Sequence, residues 1–330
     1  MRQMYAGAME CLIVDDCGTD ESISIAERVI AEYEGPIRFE ILHHDHNRGL
    51  SAARNTGTLA ARGDFIFYLD SDDFISDDCI SILMAVAMRD PAIEMVQGRF
   101  CLCDSEKCYP FIKEASVVHA ITNHDVWESL FLRYLIVTAS WNKLVKRSFI
   151  LDHDLLFKEG LLFEDGLWQF YTMKYISNVV LVPDITYHYR KRPGSICTST
   201  DKATAAYHKS IIYQDILVHL TPDREKEEFK FYARQLSVSL IRFGCCCPEI
   251  KDVFVSYWKT AKQLKCFSSR VVLRIGYVLG KYKYGWMIIP VVNRLRHPAI
   301  IRNDFRQYWR RIGHNKNPWP KASDISPSKV

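Results

Sequence analysis

Asp64-Phe65-Ile66-Phe67-Tyr68-Leu69-Asp70-Ser71-Asp72-Asp73 is a short apolar run closed by three carboxylates within four residues. An unbroken apolar run of this length reads as a strand covered on both faces, the habit of parallel sheets. Three carboxylates at one strand end repel each other unless a cation neutralises them. Hard oxygen donors suit Mg2+ or Mn2+, which keep few carboxylates and complete their shells with phosphate oxygens. An EF-hand is disfavoured, because no Gly stands at loop position 6 and no Glu at position 12. An acidic cap on the next helix is the competing reading of the same residues, since Asp favours helix N-termini.

The flanking sequence repeats the pattern. Glu10–Asp16 (ECLIVDD) is a second apolar run ending in acids, and Cys17-Gly18-Thr19-Asp20 has turn chemistry. Ser22–Tyr33 has helical spacing, with Ile23, Ala26, Val29, Ile30 and Tyr33 on one face, and Gly35-Pro36 stops it. Ile37–Leu42 reads as a strand and Gly49–Ala61 as a helix. Downstream, Cys79–Met88 reads as a helix and Ile93–Phe100 as a strand. Strands alternating with helices at this interval define an α/β chain with a doubly wound, mostly parallel sheet. Ligands of such sheets bind outside the carboxyl ends of the strands. Asp15 and Asp16, and Asp70, Asp72 and Asp73, fall at those ends.

Three of these stretches, taken in order, resemble the family 2 glycosyltransferases of GT-A fold, which are inverting enzymes using nucleotide-sugar donors. The stretches are Val14-Asp15-Asp16-Cys17-Gly18-Thr19-Asp20, Asn47-Arg48-Gly49-Leu50-Ser51-Ala52-Ala53-Arg54-Asn55-Thr56-Gly57 and Leu69-Asp70-Ser71-Asp72-Asp73. Trp141-Asn142-Lys143-Leu144, Phe163-Glu164-Asp165 and Tyr187-His188-Tyr189-Arg190 with Ser195-Ile196 continue the family's order, so the resemblance covers about residues 1–200. It implies that Asp16, with Asp15, contacts the nucleotide base, that Arg54 lines the nucleotide site, and that Asp70 faces the ribose. Asp72 is then the metal ligand, with Asp73 the other candidate, and the Mg2+ or Mn2+ it holds neutralises the diphosphate leaving group.

Inverting transfer needs one carboxylate base at the acceptor hydroxyl, opposite the leaving group. The resemblance assigns that base to Asp165, with Glu164 as the fallback. The apolar run before the pair would raise a carboxylate pKa by desolvation, while an acidic cap for a helix over Leu167–Ile176 is the alternative. The resemblance also implies that the loop bearing His188 and Arg190 closes over the diphosphate. Arg190 suits phosphate as a fixed bidentate donor, and His188 is either a third metal ligand or an aromatic packing group. Trp141 is either an acceptor platform or a core residue. A nucleotidyl transferase would share the fold logic and the metal acids. It would usually carry a Gly-rich N-terminal phosphate loop, and none is seen.

The 330 residues make one large domain or two ordinary ones, 48% hydrophobic and 25% charged. Sparse Gly and Pro exclude collagen-like and low-complexity chains, and no run is long and apolar enough for a polytopic membrane protein. With no leader pattern the default compartment is the cytoplasm. We divide the chain into a catalytic domain over 1–200, a helical basic region over 201–312 and an unstructured tail over 313–330. Family members open with a strand and helix ahead of the point where this chain starts, so exposed strand edges and low stability are expected.

The net charge of +4 hides an asymmetry: residues 251–330 carry 17 Lys and Arg against three acids, and the first 250 carry 26 against 36. A basic segment with Trp and Tyr, here 264–311, suits an anionic membrane surface, or else packs its apolar face on the catalytic body. No nucleic-acid motif accompanies the charge. The expected partners are a nucleotide-sugar donor and a glycan or lipid-linked acceptor, the latter reached from the inner face of the cell membrane. A non-catalytic remnant acting through the tail is the alternative.

Among the 11 cysteines, disulfides are not expected in a reducing compartment. Cys101, Cys103 and Cys108 lie close together, but C-x-C-x4-C is not a standard zinc spacing and no His pair follows. Cys245-Cys246-Cys247 reads as helix packing.

Overall fold

The computed structural model describes residues 1–103, 108–110, 118–127, 135–192, 194–195, 199–220, 225–243 and 247–281. The expected tail over 313–330, and the basic segment beyond 281, lie outside the described residues, as do Cys245 and Cys246.

Strand β1 (Glu10–Asp15) leads through helix α1 (Ser22–Ala31) to β2 (Arg38–His43), and the two strands pair in parallel with Asp15 opposite His43. Helix α2 (Leu50–Ala60) follows, then the short strands β3 (Phe65–Phe67) and β4 (Phe74–Ile75). Helix α3 (Cys79–Ala87) leads to β5 (Met95–Cys103), β6 (Cys108–Pro110) and β7 (Val118–Ala120). After the single turn α4 (Asn123–Asp125) come β8 (Lys143–Lys146), α5 (Arg147–Asp152), α6 (Asp165–Tyr175) and β9 (Val179–Arg190).

Seven of these strands form one mixed sheet in the order β3-β8-β5-β9-β4, with β6 on β5 and β7 on β9. Its β5–β9 ladder is parallel, and β8 runs antiparallel to both β3 and β5. The β1–β2 ladder is a separate sheet, so β1 and β3 each have one edge without a strand partner among the described residues. The Asp64–Leu69 run is a strand for three residues only: it leaves the sheet after Phe67, and a turn closed by the Asp73 N–H donating to the Asp70 carbonyl at 3.0 Å presents the acids.

Two positions require glycine, one for its backbone conformation and one for a close approach. Gly49 opens α2 at φ 85°, a left-handed conformation that costs glycine little. Gly98 sits where the β5–β9 register shifts, and a Cβ there would lie 1.9 Å from Thr186 Oγ1.

Helices α7 (Lys202–Val218), α8 (Glu225–Phe243), α9 (Pro248–Gln263) and α10 (Phe267–Leu279) complete the described chain, in accord with the helical reading of this region. Asp201 caps α7 by accepting the N–H groups of Ala203 and Thr204, and Pro248 opens α9 without wasting a donor. The core runs unbroken from Met95 and Val145 of the sheet through Phe170 of α6 to Ile212, Tyr257 and Leu273 of the last helices. The helices therefore buttress the face from which α6 carries its acids.

Candidate active site

Arg54 of α2 is 8% exposed and faces three carboxylates. Its Nη1 donates to Glu164 Oε1 at 2.5 Å and to Asp165 Oδ1 at 3.2 Å, and its Nη2 donates to Asp70 Oδ1 at 2.8 Å. Only a guanidinium offers donors in a planar fork wide enough for this. Its carbon lies 5.2 Å from the Phe157 ring centroid. Burial alone would weaken its hold on its proton; Asp165, Asp70 and Glu164 outweigh that and raise its pKa. Burial, joined by the charges of Asp165 and Asp72, raises the pKa of Asp70 against the pull of Arg54. Burial and Asp165 together raise that of Glu164. One buried cation thus joins the strand-end acids to the acids that open α6.

Glu164 occupies the N-cap position of α6, yet its side chain makes no capping bond and is spent on Arg54. The helix-cap reading of the Glu164-Asp165 pair therefore does not describe Glu164. Asp165 accepts the Ser140 N–H at 3.1 Å, and its side chain is 25% exposed, against 7% for Glu164.

Asp70, Asp72 and Asp73 bring one oxygen each within 4.8 Å of one another. Asp73 accepts the Tyr187 hydroxyl and the Arg190 backbone N–H, each at 2.7 Å. Burial nevertheless pushes its pKa up to about 6. The Tyr187 hydroxyl also accepts the Asp70 N–H at 3.3 Å. Asp72 accepts Arg192 Nε at 2.5 Å. The sequence reading includes Tyr187 in a motif without giving it a role and passes over Arg192; the signal is the alternation Tyr187, Tyr189 and the basic pair Arg190, Arg192.

His188 and Arg190 belong to the end of β9 rather than to a loop. Register explains this, since β9 pairs with β5 as far as Arg190. His188 does not join the three acids. Its ring stacks on Phe74 at 4.5 Å and its Nδ1 lies 3.0 Å from Cys101 Sγ.

Asp15 accepts the Gly18 N–H at 2.9 Å and pairs with His43; the backbone bond and the His lower its pKa. Asp16 pairs with His44 at 2.6 Å and accepts the N–H groups of Arg48 and Gly49, each at 2.7 Å. Burial opposes these contacts, but they lower its pKa on balance. Asp16 thus ties the end of β1 to the start of α2.

Trp141 is 8% exposed and stacked 4.5 Å from Tyr187, which makes it core behind the site. Asn142 bridges β5 and β9 through the Gly98 carbonyl and the Thr186 hydroxyl. Lys143 is fully buried and donates to the carbonyls of Val137 and Ala139. Burial pulls its pKa down to about 7 from 10.5, against a partial opposing pull from Asp165. The depressed pKa means that the unfolded chain holds the extra proton between those values. This contribution to stability is present above pH 10.5 and is lost as pH falls through 7. Lys143→Met should flatten the stability difference across that window by up to about 1.4 kcal/mol per pH unit, read by urea unfolding of both chains. Parallel pH profiles would contradict the assignment.

Acids at strand ends, on a mixed sheet braced by helices, fit a GT-A type fold. Residues 1–137 match the sequence model of Glycosyl transferase family 2. EpsH of Bacillus subtilis is 27% identical over 277 residues, covering 81% of this chain and 74% of EpsH. Three other curated relatives are matched over 40–65% of their length. Among solved structures, Staphylococcus aureus TarS 1–349 superposes with TM-score 0.53 at 15% identity, covering 96% of this chain and 86% of that one. The mannosyltransferase PcManGT of Pyrobaculum calidifontis, in complex with GDP-Man and Mn2+, superposes with TM-score 0.51 at 15% identity over 89% of this chain and 78% of that one. Over residues 1–137 the chain is similar to the family 2 glycosyltransferases, and its fold is that of the GT-A structures it superposes on.

Proposed function

We propose that the chain transfers a sugar from a nucleotide-sugar donor, a UDP-sugar in the first instance, to a hydroxyl of a glycan or lipid-linked glycan, with inversion and with Mg2+ or Mn2+. The observation that carries this reading is the single array in which Arg54 links Asp70 of the acid cluster to Asp165 of α6. Asp70 and Asp73 are desolvated acids with raised pKa, the condition of a donor set that a hard divalent cation would relieve. Asp72, with Asp73, would hold the metal. When bound, it would supply charge neutralisation to the diphosphate leaving group. The Mn2+ bound by PcManGT supports the choice.

The chain's own residues do the rest. Arg190 and Arg192 stand beside the acids and supply cationic charge for phosphate oxygens. Asp165 takes the proton from the acceptor hydroxyl, and Arg54 and the Ser140 N–H hold its carboxylate in place. Asp15 and Asp16 shape the nucleotide end of the cleft.

Thermal unfolding with UDP and Mn2+ tests the site. Ligand at 100 times its Kd should stabilise by about 2.7 kcal/mol, a rise of roughly 5 °C in Tm, and Asp72→Asn should abolish the rise. A cooperative transition that no nucleotide diphosphate shifts would refute the donor site.

Membrane contact is part of the proposal. Phe267, Val271, Ile275 and Val278 form an exposed apolar stripe on α10, with Arg270 and Arg274 beside it. A basic helix of this pattern lies in a bilayer interface. No helix among the described residues is long and apolar enough to cross a membrane. Flotation with anionic vesicles should recover the chain, and Phe267→Glu with Val271→Glu should halve the recovery or more. Equal recovery on neutral vesicles would contradict the electrostatic part.

A further inference from the structure

Cys101 and Cys103 stand on one face of β5, two residues apart. Register places His188 of β9 directly across from Cys101, and Cys108 of β6 directly across from Cys103. Four metal-ligating side chains from three adjacent strands therefore meet, each with one ligand atom within 4.8 Å of all the others. Cys101 Sγ lies 3.6 Å from Cys103 Sγ and 3.0 Å from His188 Nδ1, and Cys103 Sγ lies 3.7 Å from that nitrogen. A tetrahedral zinc ion with bonds of about 2.3 Å to sulfur and 2.0 Å to nitrogen needs sulfur–sulfur edges of about 3.8 Å and sulfur–nitrogen edges of about 3.5 Å. Two of the three distances fall within a few tenths of an ångström of those edges, and the third opens by half an ångström. Cys101 and Cys103 are buried, while Cys108 is exposed and leaves an entry path. The Phe74 ring, 5° from parallel to the imidazole, holds His188 Nδ1 toward the sulfurs.

We propose that the reduced chain binds one Zn2+ at Cys101, Cys103, Cys108 and His188, a Cys3His centre separate from the Asp70, Asp72 and Asp73 cluster. Cys103 and Cys108 form a disulfide in this structure, their Cα atoms 4.1 Å apart. The expectation of no disulfide thus fails, because the hairpin register sets the two thiols face to face. The same juxtaposition serves the metal once the bond is reduced. A phosphine reductant does this: it takes an oxygen from water to become the phosphine oxide, and the two sulfurs leave as thiols. Zn2+ then displaces one proton from each of three thiols and accepts the lone pair of the neutral imidazole. Soft thiolate donors in a tetrahedral set favour Zn2+ over the Mg2+ or Mn2+ that carboxylates select. The centre pins the ends of β5, β6 and β9, and β9 there carries Tyr187 and Arg190 to Asp73.

Cobalt substitution of the full chain, reduced with a phosphine, tests this. One equivalent of Co2+ should give sulfur-to-cobalt charge-transfer absorption and the intense visible bands of a tetrahedral ion. Zn2+ should bleach both. Asp72→Asn should keep both signals, since carboxylates give no sulfur charge transfer. Cys101→Ser should weaken binding by more than the roughly 10- to 100-fold that altering a ligand's outer partner costs. Cys108→Ser lies at an exposed edge, so its loss of signal can be read on a folded chain. No sulfur charge transfer in the reduced wild type would overturn the proposal. So would a signal that survives in the Cys101→Ser, Cys108→Ser double variant, which would place the cobalt on other cysteines.

Discussion

Asp165→Asn should lower kcat by about 100- to 10,000-fold while leaving Mn2+-dependent nucleotide binding intact. The asparagine keeps the size of the side chain and can still accept the Ser140 N–H, so the cleft should keep its shape. It cannot take a proton from an acceptor hydroxyl. Glu164→Gln separates the two acids of the pair. Glu164 is buried and pinned to Arg54, so its loss should act on stability and on the placement of Asp165. The assay is donor consumption with the best pair from a nucleotide-sugar and acceptor screen. Comparable kcat losses in both variants with normal folding would mean that Asp165 has no special part in proton transfer. A full loss in Glu164→Gln alone would move the base to Glu164.

Arg54→Met should destabilise the folded chain by about 3–5 kcal/mol, the cost of stranding buried charge when one partner is removed. For a chain this long that is a fall of about 5–8 °C in Tm. The guanidinium is the shared counter-charge of Asp70, Glu164 and Asp165, so its removal leaves three acids facing each other. The defect should shrink on acidification. Burial already raises the pKa of Asp70 and Glu164, and without Arg54 both protonate at still higher pH, which removes the repulsion. Arg54→Lys keeps charge but loses the fork, and should fall between the two. A wild-type Tm in Arg54→Met would show that the ion array contributes nothing to folding.

Much of this site was legible because its acids stand at strand ends, where an apolar run stops. Asp15, Asp16 and the Asp70–Asp73 cluster are readable that way, and β1, β2, α1, α2 and α3 fall within two residues of the periods that announce them. The partners of those acids were not legible. The resemblance puts Arg54 in the nucleotide site, but its ties to Glu164 and Asp165, 110 and 111 residues away, show only once α6 is placed against it. Tyr187 and Arg192 reach Asp73 and Asp72 across more than 110 residues. The Cys101, Cys103, Cys108 and His188 group eluded spacing rules for the same reason. Those rules describe ligands on one local loop, and here three strands in register supply them. The β3 tract reads as a longer strand than it is, because apolar continuity also describes a chain turning beneath a site.

We propose that the Asp70, Asp72 and Asp73 cluster binds the diphosphate of a nucleotide-sugar through a divalent metal. Calorimetric titration of UDP and GDP into the full chain, with Mn2+ and with EDTA, reads that binding at its source. We predict saturable one-site binding of one of the two nucleotides with Mn2+, lost in EDTA and lost in Asp72→Asn. Binding of equal strength with EDTA, or undiminished in Asp72→Asn, would contradict it.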